Sequence, residues 1–128
     1  MILDSSAVLA IFFQEPGFEE LARKVAGASE VGIGVPALVE CAIVLTARLE
    51  QDARGTLARF LEEANIAVIP FTEAHYGLSV GAWIKYGKGR HPAGLNFGDC
   101  LAYAVAQHAA MPLLFVGDDF SQTDIEPA

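Results

Sequence analysis

The sequence predicts an α/β domain whose parallel sheet is covered by helices on both faces. Three observations carry this expectation. Short apolar runs alternate with helical patterns from one end of the chain to the other. The 128 residues suffice for one hydrophobic core and leave no room for a second. No repeat, low-complexity tract or linker divides the chain, so residues 1–128 read as one domain. Strand–helix alternation implies a parallel sheet with right-handed connections, and its strands, buried on both faces, read as near-continuous apolar runs.

The elements follow in order. Met1-Ile2-Leu3 is a buried-strand run ending at Asp4. Residues 5–13 form a short helix, stopped before Pro16-Gly17, and residues 18–28 carry Leu21, Ala22, Val25 and Ala26 at helical spacing. Val31 to Val35 is a second strand, and Pro36 suits the first turn of a helix over 37–51 with Leu38, Cys41, Leu45 and Leu49 on one side. A helix over 53–64 turns Leu57, Phe60 and Leu61 inward; Ile66 to Ile69 is a third strand, closed by Pro70. Residues 73–86 are helical, residues 85–94 form a Gly-rich basic loop, and residues 97–110 are helical again. Leu113 to Val116 is a fourth strand, with a short last one near Asp124 to Glu126.

Composition excludes several classes. The N-terminus lacks a charged segment followed by a long apolar stretch, and no apolar run approaches the roughly 20 residues of a membrane span, so a cytoplasmic protein without membrane contact is expected. Cys41 and Cys100 sit in no metal spacing and read as small buried residues of a reducing compartment. The formal charge of −8, from 8 basic and 16 acidic residues, argues against a broad basic surface for nucleic acid. It suits a chain that concentrates carboxylates around a hard cation. Hydrophobic residues make up 53% of the chain, which suggests a face buried against another chain.

The position of the acids is the informative feature. In open parallel sheets, ligands bind beyond the carboxyl ends of the strands, where strand order reverses. Asp4 follows the first strand and Asp118-Asp119 the fourth. Glu40 lies one turn into the helix after the second strand, and Asp99 lies in the first turn of the helix before the fourth. If the first and fourth strands are neighbours, these acids converge, and Mg²⁺ or Mn²⁺ is the natural occupant of such an all-oxygen cluster. Each acid has a structural alternative. Asp4 can cap the helix that begins at Ser5, and Asp99 completes a capping-box pattern with Asn96. The Asp118-Asp119 pair can be a solvated turn. Glu40 lies in an otherwise apolar stretch, Val35 to Leu45, with no basic residue three or four positions away. It is therefore either buried and paired or facing a ligand.

These segments resemble the PIN-domain ribonucleases, and among them the VapC-type toxins of bacterial toxin–antitoxin pairs. The resemblance rests on Met1-Ile2-Leu3-Asp4-Ser5-Ser6-Ala7, on Pro36-Ala37-Leu38-Val39-Glu40, on Phe97-Gly98-Asp99-Cys100-Leu101-Ala102-Tyr103-Ala104, and on Leu114 to Ile125. It implies a three-layer α/β/α fold with four to five parallel strands in the order 3-2-1-4-5. The family's carboxylates carry over onto Asp4, Glu40 and Asp99, with Asp118 as the fourth and Asp119 in reserve. Ser5 or Ser6 corresponds to a small polar residue beside the metal. It further implies an endoribonuclease of a type II (VapBC) system that needs Mg²⁺, with Mn²⁺ as a substitute. Its partners would be RNA, a cognate antitoxin and a second copy in a homodimer.

In such an enzyme Asp4 and Asp99 would ligate directly, while Glu40 and Asp118 complete the shell or orient the attacking water. Ser5, Lys88 and Arg90 are candidates to contact RNA, the last two in the only dense basic stretch. His75, His91 and His108 belong to no nucleophilic triad, and His108 suits a helix C-terminus. Two rivals differ in class. One is a non-catalytic interaction module whose acids only cap helices. The other is a magnesium-dependent phosphotransfer domain, which lacks its D-x-D pair and late-strand lysine here.

Overall fold

A computed structural model describes residues 1–128. Four short parallel strands, β1 (Ile2–Leu3), β2 (Val31–Gly34), β3 (Ile66–Ile69) and β4 (Leu113–Leu114), form one sheet in the order β3-β2-β1-β4. Helices α1 (Ser5–Phe12), α2 (Phe18–Gly27), α3 (Val35–Leu49), α4 (Arg54–Glu63), α5 (Glu73–Tyr86) and α6 (Phe97–Ala109) connect them. The chain pairs β1 with β2 and β2 with β3 on one side, then returns to lay β4 on the other side of β1. Strand order therefore reverses between β1 and β4, where a crevice opens at the carboxyl ends.

The period-2 geometry of a strand sorts the core into two layers. Leu3, Ile33 and Leu114 face α1, α3 and α4, where they pack with Val8, Cys41, Leu45 and Leu57. Ile2 and Leu113 face the other way, with Ala82, Tyr86, Leu95, Val105 and Phe120. On that second face β2 has only Gly32 and Gly34. A Cβ on Gly34 would lie 2.8 Å from Val105 Cγ2, and one on Gly32 would lie 2.7 Å from Ile69 Cδ1. Bare backbone there lets α6 close onto the sheet, and Ala102, Val105 and Ala106 of α6 join the core cluster on this face.

Two expectations need correction. The fifth strand is reduced to a single parallel bridge between Leu113 and Pro127. Leu113 N donates to Glu126 O at 2.9 Å and Ala128 N to Leu113 O at 2.9 Å. The tail is held instead through Asp124, which accepts the Tyr103 hydroxyl at 2.7 Å while its own amide donates to Tyr86. The fourth strand also ends two residues early, since Val116 N donates to a side chain, Ser6 Oγ, at 3.0 Å.

In α3 the buried stripe is Ala37, Cys41 and Leu45, and Leu49 is exposed. No helix is long and apolar enough to cross a membrane. Both cysteines are free and buried, and burial pushes the Cys41 thiol up to about 12, which removes it as a nucleophile. His108 stands in the last turn of α6, edge-on to His75.

Candidate active site

Helix α3 follows β2 and so begins at the carboxyl edge of the sheet. Helix α6 precedes β4 and must start at that same edge to run back along it. Thus Asp4 after β1, Glu40 in α3, Asp99 in α6 and the loop after β4 are delivered to one mouth. Asp4 is 7% exposed, yet with Glu40 it lines a groove of about 340 Å³ that also touches Val39, Ile43, Phe97 and Gly98. Glu40 reaches across to α6: a Cβ on Gly98 would sit 3.4 Å from Glu40 Oε2.

Both capping roles are present. Asp4 is the N-cap of α1, its Oδ2 accepting the Ser6 amide at 3.1 Å and the Ser6 hydroxyl at 2.5 Å. Asn96 Oδ1 accepts the Asp99 amide at 2.9 Å, and Asp99 Oδ2 accepts the Asn96 amide at 3.1 Å. A carboxylate that served only as a cap would be held below its ordinary pKa by those amides. Here the opposite holds. Burial raises Asp4 above 3.8 against the Ser6 bonds, and the Glu40 charge adds to it. Burial raises Asp99 to about 6, with the charges of Asp119, Asp4 and Glu40 adding to the rise. Burial is the larger cause of both rises, and the neighbouring carboxylates add to it.

The structure revises two details of the sequence reading. Glu40 is exposed, because Val39 and Ile43 beside it are themselves 50% and 64% exposed; an apolar sequence neighbourhood is not burial, so the burial argument for Glu40 fails while its place at the mouth stands. Ser5 is buried and offers no surface to an RNA; its carbonyl accepts from Cys41 Sγ at 3.9 Å. Ser6 is the residue that meets Asp4. Asp119, in the loop after β4, is among the charges that raise Asp99. Lys88 and Arg90 are exposed on the loop between α5 and α6, which is closed by a bridge between Gly87 and Leu95. Sequence reading missed His75, whose Nδ1 accepts the Thr72 amide at 2.9 Å in a capping box; the usual Glu or Gln at the third position is replaced by an imidazole.

The donor set is all oxygen, suited to a hard divalent cation. As the side chains stand, no group of three or more His, Cys, Asp or Glu is arranged to hold a metal ion. The hydrogen bonds of both carboxylates run through Oδ2, that of Asp4 to Ser6 and that of Asp99 to the Asn96 amide. A larger groove of about 430 Å³ between α2 and α4 has Glu63 as its only acid, and its lining is otherwise mostly apolar.

A three-layer sheet with acids from four segments at its switch point defines a class, and sequence comparison agrees: the PIN-domain profile matches residues 1–126, and the chain belongs to the PIN-domain family. Within it, the chain groups with the VapC proteins. It is 46% identical to ribonuclease VapC36 of Mycobacterium tuberculosis over 127 residues, covering 98% of this chain and 91% of that one. It is 39% identical to ribonuclease VapC28 of the same organism over 129 residues, covering 100% and 97%. Among solved structures, M. tuberculosis VapC20, described as a sarcin–ricin-loop-cleaving toxin, superposes with a TM-score of 0.79 at 16% identity, covering 99% of this chain and 97% of that one. A chain of a toxin–antitoxin complex from Klebsiella pneumoniae gives 0.72 at 17% identity, covering 96% and 92%. At those identities the structural matches speak for the fold.

Proposed function

We propose that this chain is the toxin of a type II toxin–antitoxin pair, an endoribonuclease that hydrolyses RNA phosphodiester bonds with Mg²⁺, or Mn²⁺ in its place. The names of its relatives support the reaction class. The observation that supports the metal is the convergence of Asp4, Glu40 and the start of α6 with Asp99 on a single mouth, where burial first and the neighbouring carboxylates second raise both aspartates. Like charges held together in that way call for a cation.

Asp4 and Asp99 would hold the ion directly, and Glu40 would complete its shell from α3. Asp119 is favoured over Asp118 as the fourth carboxylate, since its charge is the one that acts on Asp99. The bound ion would supply an acidified water and neutralise phosphate charge. The chain's own contribution is orientation: Ser6 fixes the Asp4 carboxylate, and Asn96 fixes that of Asp99. Lys88 and Arg90 would meet the RNA backbone, a cognate antitoxin would block the groove in the cytoplasm, and a second copy would make a homodimer. The exposed Val39 and Ile43 beside the mouth fit such protein contacts.

The test is cleavage of RNA by the Asp4→Asn and Asp99→Asn variants. Asparagine can keep the caps, so both are expected to stay folded while Mg²⁺-dependent cleavage falls roughly 100-fold or more. Retained cleavage in both variants would refute the metal-site assignment and leave the interaction module as the better reading.

A further inference from the structure

The chain must bind a polyanion with a formal charge of −8, and its cations are not spread evenly. Lys85, Lys88 and Arg90 stand within six residues at the C-terminal end of α5. Arg23 and Arg54 are neutralised by Glu20 and Asp52, and Lys85 approaches Asp124 at 3.8 Å. Lys88 and Arg90 pair with no carboxylate. Lys88 lines a groove of about 470 Å³ between α5 and the start of α6, with Val80, Trp83, Asn96, Phe97 and Leu101 among others, and Arg90 adjoins it through Trp83.

That groove adjoins the carboxylate mouth. Phe97, 80% exposed, lines both, and Asn96 on the groove side is hydrogen-bonded to Asp99 on the other. Trp83 is 45% exposed and is held by Arg90 and Gly87. The Arg90 guanidinium lies 4.9 Å from its ring centroid, and Arg90 Nε donates to Ile84 O at 3.1 Å, which leaves the two terminal amino groups of the guanidinium for a phosphate. Gly87 packs so tightly on the indole that a Cβ there would lie 2.7 Å from Trp83 Cδ1. An indole and a phenyl ring flanked by unpaired cations match the chemistry of a single RNA strand: π-faces for bases and positive charge for the backbone.

We propose that the groove between α5 and α6 is a nucleobase platform, in which a base of single-stranded RNA stacks on Trp83 and Phe97 while its phosphate lies on Lys88 and Arg90. The next phosphodiester is thereby delivered past Phe97 to Asp4 and Asp99. This inference rests on RNA being the substrate. It assigns to exposed aromatics, which bear no part in the core, the work of positioning the strand.

Trp83 is the chain's only tryptophan, so its fluorescence reports on the platform alone. The full-length protein is titrated in EDTA with a single-stranded RNA of roughly ten nucleotides, within the range of common site sizes. A second titration uses an abasic ribose-phosphate strand of the same length. The RNA is expected to quench Trp83 and the abasic strand is not. Phe97→Ala should weaken RNA binding by about 5- to 150-fold, the stacking of one base, and leave abasic binding unchanged. Phe97→Tyr should restore it. Because Phe97 is exposed, circular dichroism should show the same folded content in all three proteins.

Equal quenching by both strands, or none by RNA, overturns the platform. So does Trp83 emission that is already blue-shifted and shielded without RNA and opens on dilution, which would mean a second copy covers the groove. Cleavage is read separately: Mg²⁺-dependent cleavage without quenching sinks the platform alone, and quenching without cleavage sinks the nuclease reading alone.

Discussion

Replacing Asp99 by asparagine should make the metal-free protein more stable, although it removes a residue of the proposed site. Asparagine can still accept the Asn96 amide, so the capping box survives. What disappears is a carboxylate crowded by burial and by Asp119, Asp4 and Glu40. A fully buried carboxyl titrating at about 6 in place of 3.8 would carry about 3 kcal/mol of unfavourable free energy at neutral pH. Asp99 is half-buried, and solvent screening reduces this to about 1–1.5 kcal/mol. For a domain of this size that is a rise in Tm of roughly 3–7 °C.

The pH dependence has a definite sign. The folded protein holds the Asp99 proton more tightly than the unfolded chain does. The penalty is therefore absent below 3.8, grows between 3.8 and about 6, and is complete above that. Thermal unfolding in EDTA, followed by circular dichroism, should show the variant's advantage at about pH 7.5 and its disappearance near about pH 4. Added Mg²⁺ should stabilise the wild-type protein more than the variant, since only a folded site binds it. A variant less stable than wild type at neutral pH in EDTA would show that Asp99 is a cap and that no charge is crowded there.

Two further outcomes are expected. Asp119→Asn should weaken Mg²⁺-dependent cleavage by about 10- to 100-fold and shift its acid limb to lower pH, while Asp118→Asn leaves both nearly unchanged; single-turnover rates across pH distinguish them. Gly34→Ala should destabilise by about 1–3 kcal/mol, because Val105 on α6 must give way; chemical denaturation would read it as a lower midpoint with an unchanged slope.

The alternation of strands and helices, and the acids at their ends, were legible because period and position in a parallel sheet dictate them. Asp4 and Asp99 could be placed from the order of elements alone. Glu40 was placed for the wrong reason. A run of apolar residues on a helix cannot say which of them find a partner, and Val39 and Ile43 do not find one within the chain. Ser5 against Ser6 turns on a rotation of about 100° per residue at a helix start, which neighbouring letters do not encode. The fifth strand reduces to one bridge at Pro127, because the letters of a tail do not say where it meets the sheet edge. His75 escaped notice because an imidazole does the work usually given to a carboxylate or amide.

One hydroxyl ties the two halves of the mouth together. Ser6 Oγ donates to Asp4 and accepts from Val116, so the acid after β1 and the start of the segment bearing Asp119 share an atom. Sliding β4 by one residue would strand Val116 and loosen the Asp4 carboxylate in the same movement. The register of a two-residue strand, too short to be secured by its own ladder, is thus guarded from the functional end of the molecule, and mutations that fray that strand should show first as lost ion affinity and only later as lost fold.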